Sequence, residues 1–199
     1  MRIITISGAS GSGKSTLAEY ILNIMTGSKL LSVDRYYLSK NEQVEKFGSF
    51  NFDDPNAIEH ELLHDHLDQL KLAGETNVPI YDFTISERAG YEPFKVGKTL
   101  IMDGLFAGTL LSERSDFNIF VDANLDTALD RRIERDMRER GRTRESVIEQ
   151  YERDVRPAYF KHIEPLKANA DLVIENNGDI QEMLDAINTQ DAFREHSHK

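Results

Sequence analysis

The stretch that most constrains the fold lies at the start of the chain, where an apolar run leads into a glycine-rich loop. Residues 3–6 are apolar or β-branched and predict a buried strand, and a G-x-x-x-x-G-K-S pattern follows. Glycines let the backbone wrap closely, so that successive N–H groups point at a phosphate, and a helix beginning there adds its positive end. The pattern predicts a phosphate-binding loop formed by Gly8, Ala9, Ser10, Gly11, Ser12, Gly13, Lys14, Ser15 and Thr16.

Two side chains of this loop have predicted roles. Lys14 would neutralise the β- and γ-phosphates of a nucleotide, and the Ser15 hydroxyl would bind Mg²⁺. The alternative is a Gly/Ser-rich turn without a ligand. The strand-like run before the loop and the helix-like residues 17–22 after it favour the phosphate-binding interpretation, because the mechanism requires that setting.

Length and composition limit the classes of protein to which the chain can belong. Its 199 residues fit one α/β domain over residues 1–190, with a frayed tail expected over residues 191–199. The absence of cysteine excludes disulfides, thiolate zinc sites and cysteine nucleophiles. A net charge of −11 opposes nucleic-acid binding, and no apolar run approaches the length of a membrane span. We therefore expect a cytoplasmic protein with no nucleic-acid or membrane partner.

Acidic residues follow several predicted strands. Residues 29–33 predict a second strand that ends at Asp34, and two further apolar strands end at Asp103 and Asp122. Ligands of doubly wound sheets lie beyond the carboxyl ends of the strands. Asp34 is therefore a candidate general base for an acceptor hydroxyl, or alternatively a turn or cap aspartate. Either Asp103 or Asp122 would be the acid on the magnesium side, and the pattern alone does not choose between them.

The middle of the chain predicts a binding loop, a helix and a small β-rich insertion. Residues 35–55 carry aromatic and acidic side chains without a clean period, and a helix is expected to start at residues 54–56 and to run to about residue 73. His60 and His64 have the spacing of metal ligands on that helix, but no nearby motif supplies further ligands.

The β-rich insertion is expected over residues 76–98. Within it, Tyr81 and Phe83 alternate onto one face. That face is either a stacking surface for a planar ligand or a small satellite core.

The C-terminal half of the chain contains a concentration of arginine. Seven of the fourteen arginines fall in residues 131–144, on or just after a helix that Gly141 is expected to end. Acidic residues such as Asp136, four before Arg140, could make this a solvated ion-paired face. Arginine rather than lysine favours a lid that faces phosphate, since planar guanidinium groups bind phosphate in a bidentate manner.

Taken in order, these motifs resemble one family. The phosphate loop, the acid at Asp34, the F-N-F-D-D-P stretch at residues 50–55, the Y-D-F and D-G motifs, and the E-R-G-R motif at residues 139–142 resemble uridine kinases (uridine–cytidine kinases) of the phosphoribulokinase/uridine kinase family. The resemblance covers about residues 2–175. It implies a P-loop α/β fold, with a parallel sheet that has helices on both faces, an arginine-rich helical lid and a homo-oligomer, either a tetramer or a dimer.

The resemblance also implies an activity: phosphorylation of the 5′-hydroxyl of uridine or cytidine by ATP, with GTP as an alternative donor, and with Mg²⁺. Asp34 would be the general base, Asp103 would stand where the family has a glutamate on the magnesium side, and Arg135 and Arg140 would act on the transferring phosphoryl group. The remaining residues match positions that contact sugar, base or phosphates: Tyr37, Asp53, Tyr81, Phe83, Arg132, Arg142 and Gln150.

Two departures from the family pattern are visible. Ser86 stands where the family has a histidine on the pyrimidine edge, which leaves the identity of the base open. Residues 175–178 replace the family's P-R-G-G turn on the nucleotide side. A kinase of the same family acting on another small hydroxylated metabolite is therefore an alternative. A nucleotide-dependent switch would require a guanine-recognition motif, N-K-x-D, and residues 188–191 lack its lysine.

Overall fold

A computed structural model describes residues 1–193 of the chain. Its N-terminal half holds the phosphate loop and a hairpin, and its C-terminal half holds the arginine-rich helix. The elements of the first half are β1 (Arg2–Gly8), α1 (Lys14–Ile24), β2 (Ser28–Leu30), α2 (Lys40–Phe47), α3 (His60–Ala73), β3 (Glu75–Asp82), β4 (Glu87–Lys95) and β5 (Thr99–Asp103).

The second half begins with a short helix and the fourth strand of the main sheet. A nearly continuous helical stretch follows α6 and contains π-helical segments at Tyr151–Val155 and Tyr159–Ile163. The elements are α4 (Ala107–Leu110), β6 (Phe117–Asp122), α5 (Leu125–Arg140), α6 (Arg144–Gln150), α7 (Arg156–Ala158), β7 (Leu172–Glu175) and α8 (Ile180–Asn188).

Within the described residues, five strands form a parallel sheet in the order β2-β5-β1-β6-β7. The central strand β1 is apolar along its length because helices cover both faces of the sheet. Ile3 packs in the core on one face, with Leu63 and Leu67 of α3, while Ile4 packs on the other, with Leu17 of α1. The predicted α/β fold with a parallel sheet is confirmed. The carboxyl ends of β1 and β5 bring the phosphate loop and Asp103 to the same edge.

The segment expected to be a β-rich insertion contains β3 and β4, which form an antiparallel hairpin outside the main sheet. Two ion pairs attach this hairpin to the body of the molecule. Arg35 contacts Glu92 at 2.5 Å, and Arg88 contacts Glu59 at 2.6 Å. The hairpin is thereby held next to the segment that carries Asp34.

The structure differs from the sequence-based expectations in three places. Strand β2 ends at Leu30, and Asp34 lies in a 3₁₀ turn, Val33–Tyr36, in which the Ser32 hydroxyl accepts the Asp34 N–H. The expected loop at residues 35–55 contains α2, which begins with a capping box between Ser39 and Glu42. Local capping of this kind stabilises a short helix that has no apolar period of its own.

The third difference concerns the end of the chain. Residues Asp191–Phe193, expected to be frayed, form a 3₁₀ turn, and Phe193 is buried against Phe117. An aromatic side chain that enters the core fixes this turn. The rest of the expected tail, residues 194–199, lies outside the described residues. No helix within residues 1–193 combines the length and the apolar character that a membrane crossing requires.

Candidate active site

The phosphate loop connects β1 to α1, and the Asn176 side chain contacts it. Gly13 has a φ of +100°, and a Cβ added there would lie 2.4 Å from Asn176 Nδ2. That amide donates to the Ser12 carbonyl at 2.7 Å. A side chain at Gly13 would be both strained and blocked, so the glycine lets the loop close around an anion.

Lys14 and Ser15 point into the loop and toward the neighbouring strand. The Lys14 ammonium donates to the Ala9 carbonyl at 2.7 Å, and burial lowers the pKa of Lys14 to about 8, although Asp34 and Asp103 oppose that shift. The Ser15 hydroxyl donates to Asp103 Oδ2 at 2.8 Å. Asp103 Oδ1 is buried without a hydrogen-bond partner. An unpaired carboxylate oxygen next to a hydroxyl fits a hard cation such as Mg²⁺, which retains waters for its other positions.

The two candidates for the acid on the magnesium side have different surroundings. Asp122 Oδ2 contacts the Lys167 ammonium at 2.5 Å, so its charge is paired, whereas Asp103 faces Ser15. Among the described residues, His60 and His64 are not part of any cluster of three or more histidine or acidic side chains that could hold a metal ion. His60 Nε2 instead lies 2.8 Å from the Pro55 carbonyl oxygen.

Asp34 lies beside the end of β5. A Cβ added at Gly104, whose φ is +157°, would lie 3.2 Å from Asp34 Oδ1 and 2.9 Å from Val33 Cβ. Glycine at this position therefore allows the Asp34 carboxyl to approach the strand that carries Asp103. Burial and the neighbouring Asp103 charge raise the pKa of Asp34 to about 6, while Lys14 acts in the opposite direction. A carboxylate with this pKa is ionised at neutral pH and can accept a proton.

Asp53 and three aromatic rings form the wall next to Asp34. Asp53 is buried, and Arg132 Nη1 lies 3.9 Å from its Oδ1. Burial raises the pKa of Asp53, and Arg132 opposes the shift. The rings of Tyr37 and Tyr81 lie 6.0 Å apart, and those of Tyr81 and Phe83 lie 5.0 Å apart. Each tyrosine hydroxyl donates to a backbone carbonyl, so the apolar ring faces are fixed in position.

A cavity of about 440 Å³ opens between the tip of the hairpin and the end of α5. The cavity is large enough for a planar heterocycle. Arg140 and Phe83 both line it, and the Arg140 guanidinium lies 5.4 Å from the centre of the Phe83 ring. Ser86 lies in the hairpin turn with a φ of 56°. Thr84, from the same turn, lines the cavity, whereas Ser86 is not among the lining residues. The lining residues are Ile80, Tyr81, Asp82, Phe83, Thr84, Ala89, Glu139 and Arg140.

A second cavity, of about 410 Å³, lies over the phosphate loop. The same helix α5 forms one wall of each cavity, and Glu139 lines both. Residues of the second cavity are Gly11, Gly13, Lys14, Ser15, Thr16, Arg131, Arg135, Arg138, Glu139, Asn176 and Ile180.

The arginines of α5 and the following loop are divided between solvent and the site. Arg138 contacts Glu139 at 2.5 Å, and both side chains are exposed, although they also line the cavity over the phosphate loop. Arg132, Arg135, Arg140 and Arg142 instead surround one buried carboxylate, that of Asp136. Gln150, expected on the base side, accepts hydrogen bonds from Arg132 and Arg142.

Sequence reasoning missed two residues of this site. The charge pattern predicts Asp136 only as one partner in a solvated ion pair, although Asp136 lies four residues from both Arg132 and Arg140 and three from the buried Ile133. That spacing on one helix face was a usable signal. Asn176 lies in a turn that departs from the family pattern, and no local signal marked its contact with Ser12.

Comparison with known proteins supports the same interpretation of these motifs. The family model "Phosphoribulokinase / Uridine kinase family" matches residues 3–181. A uridine kinase of Proteus mirabilis (strain HI4320) is 39% identical over 195 residues, covering 93% of this chain and 92% of that protein. A uridine kinase of Borrelia duttonii (strain Ly) is 40% identical over 182 residues, covering 89% and 88%.

Two solved structures share the fold. Phosphoribulokinase from Rhodobacter spheroides superimposes with a TM-score of 0.63 and 18% identity, covering 87% of this chain and 69% of that one. A structure described as a possible uridine kinase from Bacillus stearothermophilus gives a TM-score of 0.55 and 18% identity, covering 86% and 87%.

Proposed function

We propose that this chain, which belongs to the phosphoribulokinase/uridine kinase family, is a kinase that transfers the γ-phosphoryl group of ATP to the 5′-hydroxyl of uridine or cytidine. The observation that carries the proposal is the position of the Asp34 carboxyl. It lies beside Gly104, next to the Ser15–Asp103 pair and close enough to the Lys14 charge for its pKa to respond. A proton acceptor and a phosphate-binding loop thus meet at one point.

On the donor side, the loop amides and Lys14 would hold the phosphates of ATP. Ser15 and Asp103 would hold Mg²⁺, which when bound neutralises charge on the phosphate oxygens. Arg135 lies against the loop, with its Nη2 3.4 Å from Ser10 Oγ, and would stabilise the charge of the transferring group. Burial lowers the pKa of Lys14, and the anionic phosphates should raise that pKa again. Lys14 should therefore stay protonated when ATP is bound.

On the acceptor side, Asp34 would accept the proton of the 5′-hydroxyl as that oxygen attacks the phosphorus. Asp53 would accept hydrogen bonds from ribose hydroxyls, since its buried carboxylate is only loosely paired with Arg132 at 3.9 Å. The Tyr81 and Phe83 rings would pack against the base in the hairpin cavity. Buried acids and fixed aromatic walls orient the acceptor and exclude water from the transfer.

An alternative acceptor within the same family is favoured by one observation. Thr84, rather than Ser86, stands in the wall of the hairpin cavity, and its hydroxyl is already bonded to Asp82 at 2.6 Å. A substrate without a pyrimidine ring requires no free polar side chain at this position to bind a pyrimidine edge. A small hydroxylated metabolite other than a nucleoside is therefore the second candidate.

A panel of acceptors tests the proposal. The purified chain would be incubated with Mg²⁺ and either ATP or GTP, together with uridine, cytidine or other hydroxylated metabolites, and both ADP or GDP and the phosphorylated product would be measured. We expect turnover with uridine or cytidine. A chain that phosphorylates neither nucleoside but does phosphorylate another compound would refute the acceptor assignment and leave phosphoryl transfer intact. The homo-oligomer that the resemblance implies stays a prediction, which sedimentation of the same preparation tests.

A further inference from the structure

A single buried carboxylate, that of Asp136, lies at the centre of the arginine cluster. Asp136 is fully buried on the last turns of α5. Its backbone carbonyl accepts the N–H groups of Gly141 and Arg142, so the chain turns around this residue as it leaves the helix. A charged side chain in such a position requires compensation by opposite charge.

The two carboxylate oxygens of Asp136 face different arginines. Oδ1 accepts from Arg135 Nε at 2.9 Å and Nη2 at 2.8 Å, and it lies 3.5 Å from Arg140 Nη1. Oδ2 lies 3.8 Å from Arg132 Nε and 3.7 Å from Arg142 Nη1, and it has no hydrogen-bond partner.

Two of these arginines contact different parts of the candidate site, the phosphate loop on the donor side and the wall on the acceptor side. Arg135 lies 3.4 Å from Ser10 of the phosphate loop, whereas Arg132 lies 3.9 Å from Asp53 in the acceptor wall. One carboxylate therefore connects the donor side, through Oδ1, with the acceptor side, through Oδ2.

We propose that Asp136 is a positioning residue, which holds the guanidinium groups of Arg132 and Arg135 in a fixed relation so that donor and acceptor meet in line. This inference rests on the proposed function. Four guanidinium groups packed together repel one another, and one carboxylate reduces that repulsion while leaving the cluster with an excess of positive charge. The cluster can then remain compact and still attract phosphate.

The geometry argues for positioning rather than for a purely structural ion pair. Three of the four arginines lie 3.5–3.8 Å from the carboxylate, beyond a good hydrogen bond. Asp136 therefore does not consume their donors, and those that do not bond to Gln150 or to the Ser146 carbonyl can turn to a phosphate or sugar oxygen. Arg135 alone is held by two hydrogen bonds, and it is the arginine that lies against the loop.

The test compares Asp136→Asn with Asp130→Asn, a control at an exposed position of the same helix. The asparagine keeps the shape but removes the charge, so the arginines should move apart and kcat should fall by at least about tenfold. The dissociation constant for ATP, measured by calorimetry, should stay within about threefold or become lower, because the removed carboxylate opposed the phosphates. Asp130→Asn should match the parent in both measurements.

Two results would overturn the inference. The first is a kcat of Asp136→Asn within about twofold of the parent. The second is ATP binding weakened by about tenfold together with a lowered melting temperature, which would indicate a structural role. If Asp136→Asn does not fold, Asp136→Glu retains the charge and displaces it by one methylene. A clear loss of kcat with unchanged ATP binding then supports positioning, and a parent-like kcat refutes it.

A double variant and the parent enzyme complete the design. If Asp136 acts through Arg135, then Asp136→Asn combined with Arg135→Lys should be no slower than the slower single variant, whereas multiplied losses would contradict that route. The acceptor assignment fails separately, through a parent that is inactive on uridine and cytidine. In that case, the kcat values of the variants and the parent are measured with the panel compound that the parent phosphorylates.

Discussion

Replacing Asp34 by asparagine should affect catalysis and stability in opposite directions. The amide keeps the size of the side chain but cannot accept the proton of the acceptor hydroxyl, so kcat should fall by a factor of about 10² to 10⁴. ATP binding should change little, because the phosphate contacts lie on the loop and α1. In the parent, kcat/KM should fall below about pH 6, where Asp34 takes up a proton in the free enzyme.

The effect on stability follows from the pKa of Asp34. Folding raises that pKa from 3.8 to about 6, so the ionised carboxyl destabilises the folded state at neutral pH. Two pKa units correspond to about 3 kcal/mol, an upper bound, and we expect a gain of about 1–3 kcal/mol in Asp34→Asn. For a chain of this size each kcal/mol raises the melting temperature by about 2–4 °C. The gain should shrink as the pH falls from 6 toward 4, because the folded parent then binds the proton.

The assay combines steady-state kinetics between pH 5 and 9 with thermal unfolding, without nucleotide or metal, near pH 7.5 and pH 4.5. Asp65→Asn, at an exposed position of α3, is the control and should behave as the parent. Near-normal turnover in Asp34→Asn would remove Asp34 from the mechanism. A melting temperature that does not rise at pH 7.5, or a rise that is the same at both pH values, would refute the electrostatic reasoning.

Three further predictions concern the metal, the lid and the hairpin. Asp103→Asn should raise the Mg²⁺ concentration needed for half-maximal activity by about tenfold, while Asp122→Asn should not; equal effects would contradict the choice of Asp103. Arg135→Lys should lower kcat by at least about tenfold although the charge is kept, and activity within twofold of the parent would favour a solvated face. Because Thr84 lines the hairpin cavity and Ser86 does not, Thr84→Val should lower kcat/KM for the preferred acceptor by about tenfold, and Ser86→Ala should lower it by less than twofold; the reverse order would assign recognition of the acceptor to Ser86.

The parts of the site that depend on local sequence could be predicted. The phosphate loop requires glycines and a lysine at fixed spacing, and an apolar strand followed by an acid marks both Asp103 and Asp122 as strand-end acids. Helix α5 and its end at Gly141 also follow from local signals. The bounds of β2 could not be predicted, because this edge strand pairs with only one neighbour, β5, and ends when that pairing ends.

The contacts between distant segments could not be read from the sequence. Choosing Asp103 over Asp122 from the residues alone was impossible, since both end apolar strands, and the structure separates them only through Ser15 on one side and Lys167 on the other. The helix α2 was missed because its stability comes from a capping box rather than from an apolar period.

The sequence by itself determined the chemistry available to this protein, because glycine spacing, strand-end acids and a concentration of arginine are properties of short segments. Only the tertiary structure decided how those groups act together. The raised pKa of Asp34 depends on burial beside β5, and the arginines converge because Asp136 has no access to water. Burial and long-range electrostatics depend on the whole packed chain, and for that reason they become visible only once the chain is folded.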